Sequence, residues 1–395
     1  MKAIFVAACL SLAVLAMTAC ARAATPPPPT ATPSPPTATR IPRTPTPRLP
    51  TPTPIPPTIT PIPYLPPPSE TPPPISPKYR LSQVYESFRS PSLAGNMLEI
   101  ATTRTFMVHL PASYDSGDKR YPVLYALPLW TTGNARDFGL PEALGRWVEA
   151  GKMPEAIIVE VDSHSTHYVG DFYQSNPVIG DWEGYVAKDL VGYIDGKYRT
   201  LPDPASRAIL GLEDAGGGGA IHMGLKRPDV FGIVATMAPG LGSEVFLKDC
   251  AIKSYFTGSG HMWAPAWACK ELAQALSLSF AADPNNKPVA PEPAVKVNGK
   301  WQLTPEVWEK GKRVHPSYDL EGYSQQSARL KAMLLVQSAT DQATNISNVR
   351  NFVEAMEEIG IPVDYREVIT PDEWGHHFWD NEMLFEFLSK QLVAE

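Results

Sequence analysis

The sequence predicts an α/β fold, a mostly parallel sheet flanked by helices, with an antiparallel hairpin ahead of it. Three observations carry this expectation. From about residue 121 onward, apolar runs of strand length alternate with segments of helical spacing, the pattern of successive βαβ units. Residues 207–232, RAILGLEDAGGGGAIHMGLKRPDVFG, pass from an apolar strand through a turn and four consecutive glycines into an apolar helix. Ahead of both, residues 79–114 read as two strands separated by a Gly95-Asn96 turn.

The elements follow in order. Ser82 to Phe88 and Thr103 to Leu110 form the hairpin. Tyr121 to Leu127 and Ala156 to Val161 are continuous apolar runs, as strands covered on both faces should be, with a helix over about 141–150 between them. Trp182 to Tyr198 has helical spacing, and Ala208 to Leu210 with Gly211 is the strand that feeds the glycine turn. Ile233 to Met237, Ala332 to Val336 and Val363 to Val368 supply later strands; Asn348 to Ile359 and Asn381 to Val393 are the last helices. A parallel sheet built this way places its site at the carboxyl ends of the strands.

The first 78 residues belong to something else. Met1 to Ala19 reads as an export signal, with Lys2, an apolar run from Ala3 to Met17 and then small residues. It ends Met17-Thr18-Ala19-Cys20, which resembles the lipobox of bacterial lipoproteins, and this predicts lipidation at Cys20; an ordinary signal cleaved after Ala23 is the other reading. The apolar run is too short to favour a retained membrane span. Residues 20–78 are expected to be a disordered stalk, since they hold more than half of the chain's 44 prolines and proline blocks both helix and sheet ladders. As polyproline II, at about 3.1 Å per residue, residues 25–77 would reach on the order of 160 Å. A ligand for a PxxP-reading domain is the alternative use of that composition. The folded domain is then 79–395, exported and held outside the membrane by its lipid.

Net charge is −7 without a basic cluster, which argues against nucleic acid or a polybasic membrane patch. Cys250 and Cys269 are the only cysteines past the signal region. An exported location permits a disulfide between them, closing a loop around Tyr255, His261, Trp263 and Trp267, but two buried thiols read the same in sequence.

The stretch 207–232 has the layout of a nucleophile elbow, in which a strained strand-to-helix turn lifts one side chain above the sheet and small residues let the helix pack close behind it. The expected G-x-S-x-G has no serine here. Counted from the strand, Glu213 takes the nucleophile's place; counted back from the helix, Asp214 does.

Several stretches together carry a resemblance: RTFMVHLPASYDSGDKRYPVLYAL, NPVIGDWEGYVAKDLVGYIDGKYRT, the elbow with GLKRPDVFG, PEVWEKGKRVHP and the terminal GHHFWD. The chain resembles the putative-esterase family of α/β-hydrolases, which includes esterase D, feruloyl esterases and mycolyltransferases, over about residue 84 to the C-terminus. The resemblance implies an α/β-hydrolase fold and a triad in the order Ser, acid, His. Asp341, in SATDQAT, stands at the family's acid, and His377, in Gly375-His376-His377-Phe378-Trp379, at its histidine, with His376 chosen by a one-residue slip. The oxyanion loop departs from the family's His-Gly as Leu127-Pro128-Leu129-Trp130; proline lacks an N–H, and Leu129 carries a Cβ where glycine allows close approach.

Two functions follow. The first is a descendant without serine-esterase activity that binds a small molecule, glycan or acyl ester in the ancestral cleft. The second is a carboxylic-ester hydrolase with a displaced nucleophile, or a hydrolase that uses Asp214 with His377 and Asp341, as in the dehalogenases and epoxide hydrolases that resemble this fold. The carboxylates at Glu213 and Asp214 also fit a merely solvated turn. Ser259 lies in no G-x-S-x-G and reads as loop. Asp162, His164, His167 and Asp171 are weakly spaced for a metal, so neither metal nor cofactor is expected. Tyr173, Trp182, Trp263, Trp267 and Trp379 are candidates for an aromatic cleft, with buried packing the default for each.

Overall fold

A computed structural model describes residues 75–128, 138–163, 172–241, 243–260, 265–341, 344–370 and 379–395, with backbone alone at 62–63, 212–214 and 243–245. The strands are β1 (Ile62–Pro63), β2 (Ser82–Arg89), β3 (Thr103–Leu110), β4 (Val123–Leu127), β5 (Ile157–Glu160), β6 (Ser175–Asn176), β7 (Gly180–Asp181), β8 (Arg207–Leu212), β9 (Ile233–Met237), β10 (Ala294–Val297), β11 (Lys300–Leu303), β12 (Ala332–Ser338) and β13 (Val363–Ile369). Nine of them form one sheet in the order β1-β13-β12-β9-β8-β4-β5-β3-β2. From β5 across to β1 every pairing is parallel, and β2 and β3 join antiparallel at the far edge. This is the α/β-hydrolase arrangement.

The helices are α1 (Leu140–Glu149), α2 (Trp182–Gly184), α3 (Val191–Lys197), α4 (Glu213–Lys226), α5 (Ser243–Ile252), α6 (Ala266–Phe280), α7 (Pro305–Gly311), α8 (Leu320–Gln325), α9 (Ile346–Glu358) and α10 (Asn381–Gln391). A π turn over Tyr185–Leu190 splices α2 to α3, so the expected helix from 182 is continuous but widened at its centre. Alternation along β4 divides the core. Val123, Tyr125 and Leu127 face the layer of α4, α6 and α9, while Leu124 and Ala126 face α1 and α10. Strands buried on both faces are therefore apolar throughout, which is why they were readable as runs.

Two features depart from the sequence expectation, and a third decides between its alternatives. The link between β2 and β3 is a structured loop rather than a tight turn: Asn96 donates to the Leu93 and Ile100 carbonyls and accepts from the Ile100 N–H. Ile62–Pro63, within the segment read as stalk, pairs in parallel with Val368 and Ile369. Cys250 and Cys269 form a disulfide that ties α5 to α6, settling the alternative left open above.

Candidate functional site

The elbow is built by close approach of backbone to backbone. β8 runs to Leu212 and α4 begins at Glu213, so Glu213 and Asp214 occupy the first turn of a helix, where the macrodipole favours carboxylates. The glycines behind them allow α4 to touch three strands. A Cβ on Gly211 would fall 2.5 Å from Gly217 Cα; one on Gly216, 2.6 Å from the Pro128 carbonyl; one on Gly217, 2.5 Å from Pro239 Cα. A Cβ on Gly219 would collide with the Tyr173 ring. The glycine run is thus the condition for α4 to sit at the carboxyl ends of β4, β8 and β9.

Around this helix the backbone is strained. Phe172, Tyr173 and Ala238 have φ of 51°, 55° and 47°, a region that costs a non-glycine residue about 1–2 kcal/mol. All three are buried. The Tyr173 hydroxyl donates to the Pro128 carbonyl at 3.4 Å, so the residue that follows β4 presents an acceptor that is already engaged. Phe172, Ala215, Gly218, His222, Pro239 and Val314 are among the residues lining a cavity of about 10 Å³ beside α4, room for roughly one water.

Of the acid and histidine expected from the resemblance, Asp341 lies three residues beyond β12 and is half-buried. Its Oδ2 accepts a hydrogen bond from Gln337 Nε2 at 2.8 Å. His376 and His377 lie outside the described residues, as do the side chains of Glu213 and Asp214. Trp379, which follows them, is half-buried, with Nε1 donating to Asn381 Oδ1 at 2.9 Å and its ring edge-on to Phe138 at 5.5 Å. The elements thus bring the elbow and Asp341 to the same end of the sheet, on neighbouring strand ends across β9.

Of the aromatic-cleft candidates, Trp182 and Tyr173 take the default of buried packing. Trp182 is fully buried, its Nε1 donates to the Ile179 carbonyl at 3.0 Å, and the Arg104 guanidinium lies 5.0 Å over its ring; it belongs to the core. Trp267 is 64% exposed on α6, Tyr173 packs on the elbow, and Trp263 is outside the described residues. Asp162 pairs with Arg104 at 2.9 Å, which gives it a structural partner, while His164, His167 and Asp171 are outside the described residues. Among the described residues no three His, Cys, Asp or Glu converge on a metal position. Ser259 is exposed and shares a hydrogen bond with Thr257 Oγ1 at 2.6 Å.

His222 was not foreseen. It is buried on α4 with Nδ1 against Asp319 and Nε2 donating to the Val314 carbonyl at 2.9 Å. Both ring nitrogens are engaged, so His222 is a brace rather than a free base. Its only sequence signal was a histidine among apolar helix residues.

A sequence profile for the family described as "Putative esterase" matches residues 99–388. The chain belongs to this esterase family. Among solved structures of similar fold, the S-formylglutathione hydrolase of Agrobacterium tumefaciens is 17% identical with a TM-score of 0.50, over 80% of this chain and 97% of that one. The fluorophosphonate-binding serine hydrolase F of Staphylococcus aureus is 13% identical with a TM-score of 0.50, over 80% and 99%. A ferulic acid esterase of Anaeromyces mucronatus is 15% identical with a TM-score of 0.48, over 80% and 96%. At these identities the likeness is one of fold. No curated protein matches the sequence. Within the esterase family, then, this chain carries Glu213-Asp214 where β8 passes into α4, and Pro128 directly after β4.

Proposed function

We propose that this chain is a lipid-anchored, stalked member of the esterase family that has lost serine-ester hydrolysis and binds a small-molecule, glycan or acyl-ester ligand in the ancestral cleft. The observation that carries the reading is the elbow, where β8 passes into α4 at Glu213-Asp214 with no hydroxyl nucleophile. The Pro128 carbonyl, engaged by Tyr173 and pressed against Gly216, supports it, because an oxyanion needs N–H donors. Removing a triad nucleophile leaves at best about 10³- to 10⁴-fold catalysis over water, and that only with an intact oxyanion hole. The sequence reading of an export signal ending at Cys20 supports a domain held outside the membrane; among the described residues no helix is long and apolar enough to cross one.

The position of Asp341 beyond β12 favours one second reading, an Asp214 nucleophile working with His377 and Asp341. In it the Asp214 carboxylate attacks a carbon centre and expels the leaving group, and water deprotonated by His377 then hydrolyses the enzyme ester and restores the carboxylate.

The test is hydrolysis of short-chain aryl esters by the full chain, beside Asp214→Ala, Asp214→Ser and His377→Ala. The first reading expects no turnover above background in the native protein. Turnover abolished by both Asp214→Ala and His377→Ala would replace it with the second. Failure of Asp214→Ser to gain activity would implicate the oxyanion loop.

A further inference from the structure

A second cavity lies on the other side of the wall that closes the elbow cavity. The wall is the segment from Lys312 to Asp319, two short 3₁₀ turns over Lys312–Val314 and Pro316–Asp319. Val314 lines the elbow cavity, whereas His315 and Ser317 line a groove of about 370 Å³ between this segment and α9. His222 holds the wall through Val314 and Asp319. The groove's volume is within the range of small-ligand sites.

Its chemistry is specific. Phe352, buried, forms the floor, and the His315 ring stands edge-on to it at 5.1 Å. Tyr318 rises at the rim, 56% exposed. Asn348 and Asn351, one turn apart on α9, line the facing wall. Each amide both donates and accepts, as a hydroxyl does, and an aromatic face suits the C–H face of a sugar ring. Charge is balanced: the Lys312 ammonium is held by Glu309 at 2.8 Å, no carboxylate lines the groove, and burial with the neighbouring His222 lowers the His315 pKa to about 4, leaving it uncharged at neutral pH. Among the described residues lining the groove, the one cation is thus paired and there is no carboxylate.

We propose that the groove between the 312–319 segment and α9 is an accessory binding site for a neutral saccharide, with Tyr318 as the ring platform and Asn348 and Asn351 as hydroxyl partners. The site stands on residues separate from the elbow, so it holds whichever reading of the elbow is correct.

The full chain, labelled with ¹⁵N at asparagine, is titrated with cellohexaose, xylohexaose and maltohexaose, and with hexagalacturonate as the anionic counterpart. At least one neutral oligosaccharide is expected to shift the side-chain amide signals of Asn348 and Asn351. Tyr318→Ala and Asn351→Ala should each weaken that binding by about tenfold; both positions are exposed, and near-UV circular dichroism checks that the variants fold. No shift with any neutral oligosaccharide at roughly 10 mM, the limit of weak binding, overturns the proposal. So does a response to hexagalacturonate alone, or neutral-sugar binding that survives both substitutions. Ester turnover has no bearing on these signals, so failure here and failure of the elbow reading are told apart.

Discussion

Gly217 and Gly218 are neighbours on α4 with opposite freedom. A Cβ on Gly217 would meet Pro239 Cα at 2.5 Å and Thr236 Oγ1 at 2.6 Å, whereas one on Gly218 would meet only the Pro239 carbonyl at 3.5 Å. Backbone cannot step aside as a side chain can, so Gly217→Ala should destabilise the fold by about 1–3 kcal/mol or more. Gly218→Ala makes an ordinary contact and removes a flexible residue from a helix interior, so it should stabilise by roughly 0.5–1 kcal/mol. Urea midpoints of the two variants check this, and equal effects would refute the close-approach account. At this scale the sequence was readable in part. Four glycines in a row announced a close approach, but which of them are indispensable depends on Pro128, Tyr173, Thr236 and Pro239, all distant along the chain. Trp182 was a cleft candidate by type and a core residue by position, because only the fold reveals the Arg104 guanidinium above it.

Among the elements, α9 is fastened to β13 by an ion pair of unequal exposure. Arg350 Nε and Nη2 each lie 2.6 Å from the Glu367 carboxylate, and the Tyr365 hydroxyl donates to Glu367 at 2.9 Å. Glu367 is fully buried, while the Arg350 side chain is 36% exposed. Glu367→Gln lets the arginine turn to water and should cost about 1 kcal/mol. Arg350→Ala leaves a buried carboxylate with one hydroxyl partner and should cost about 3–5 kcal/mol. Urea midpoints of both variants check the asymmetry. Element boundaries were legible where burial is two-sided: β3 and β9 match their apolar runs to the residue. β12 runs on through Gln337 and Ser338, polar yet buried, which composition does not reveal. The β10–β11 hairpin went unread although its signal was present. Asn298 and Gly299, with φ of 48° and 79°, are the Asn-Gly pair that a type I′ turn requires.

At the scale of the molecule, the question is where the folded unit begins. Composition placed the boundary near residue 78, because proline content falls there, and proline content is what a sequence reader can see. By contact, Thr58–Glu395 group as one unit. Ile75 is buried, and the 75–79 segment crosses α1 at Gly145, where a Cβ would lie 2.8 Å from the Tyr79 carbonyl and 3.0 Å from Ile75 Cδ1. Further back, Ile62–Pro63 extends the sheet beyond β13, covering part of an edge that would otherwise offer unpaired backbone to another chain. Proline suits that place, since an outermost strand can leave its outward side without a donor. A chain beginning at residue 58 should therefore be more stable than one beginning at 79 by about 2 kcal/mol, the burial of one isoleucine. The shorter chain should also associate with rising concentration, through the uncovered β13 edge. Urea unfolding and light scattering of the two chains decide it. Equal midpoints and equal monomer fractions would mean that the segment only rests on the domain.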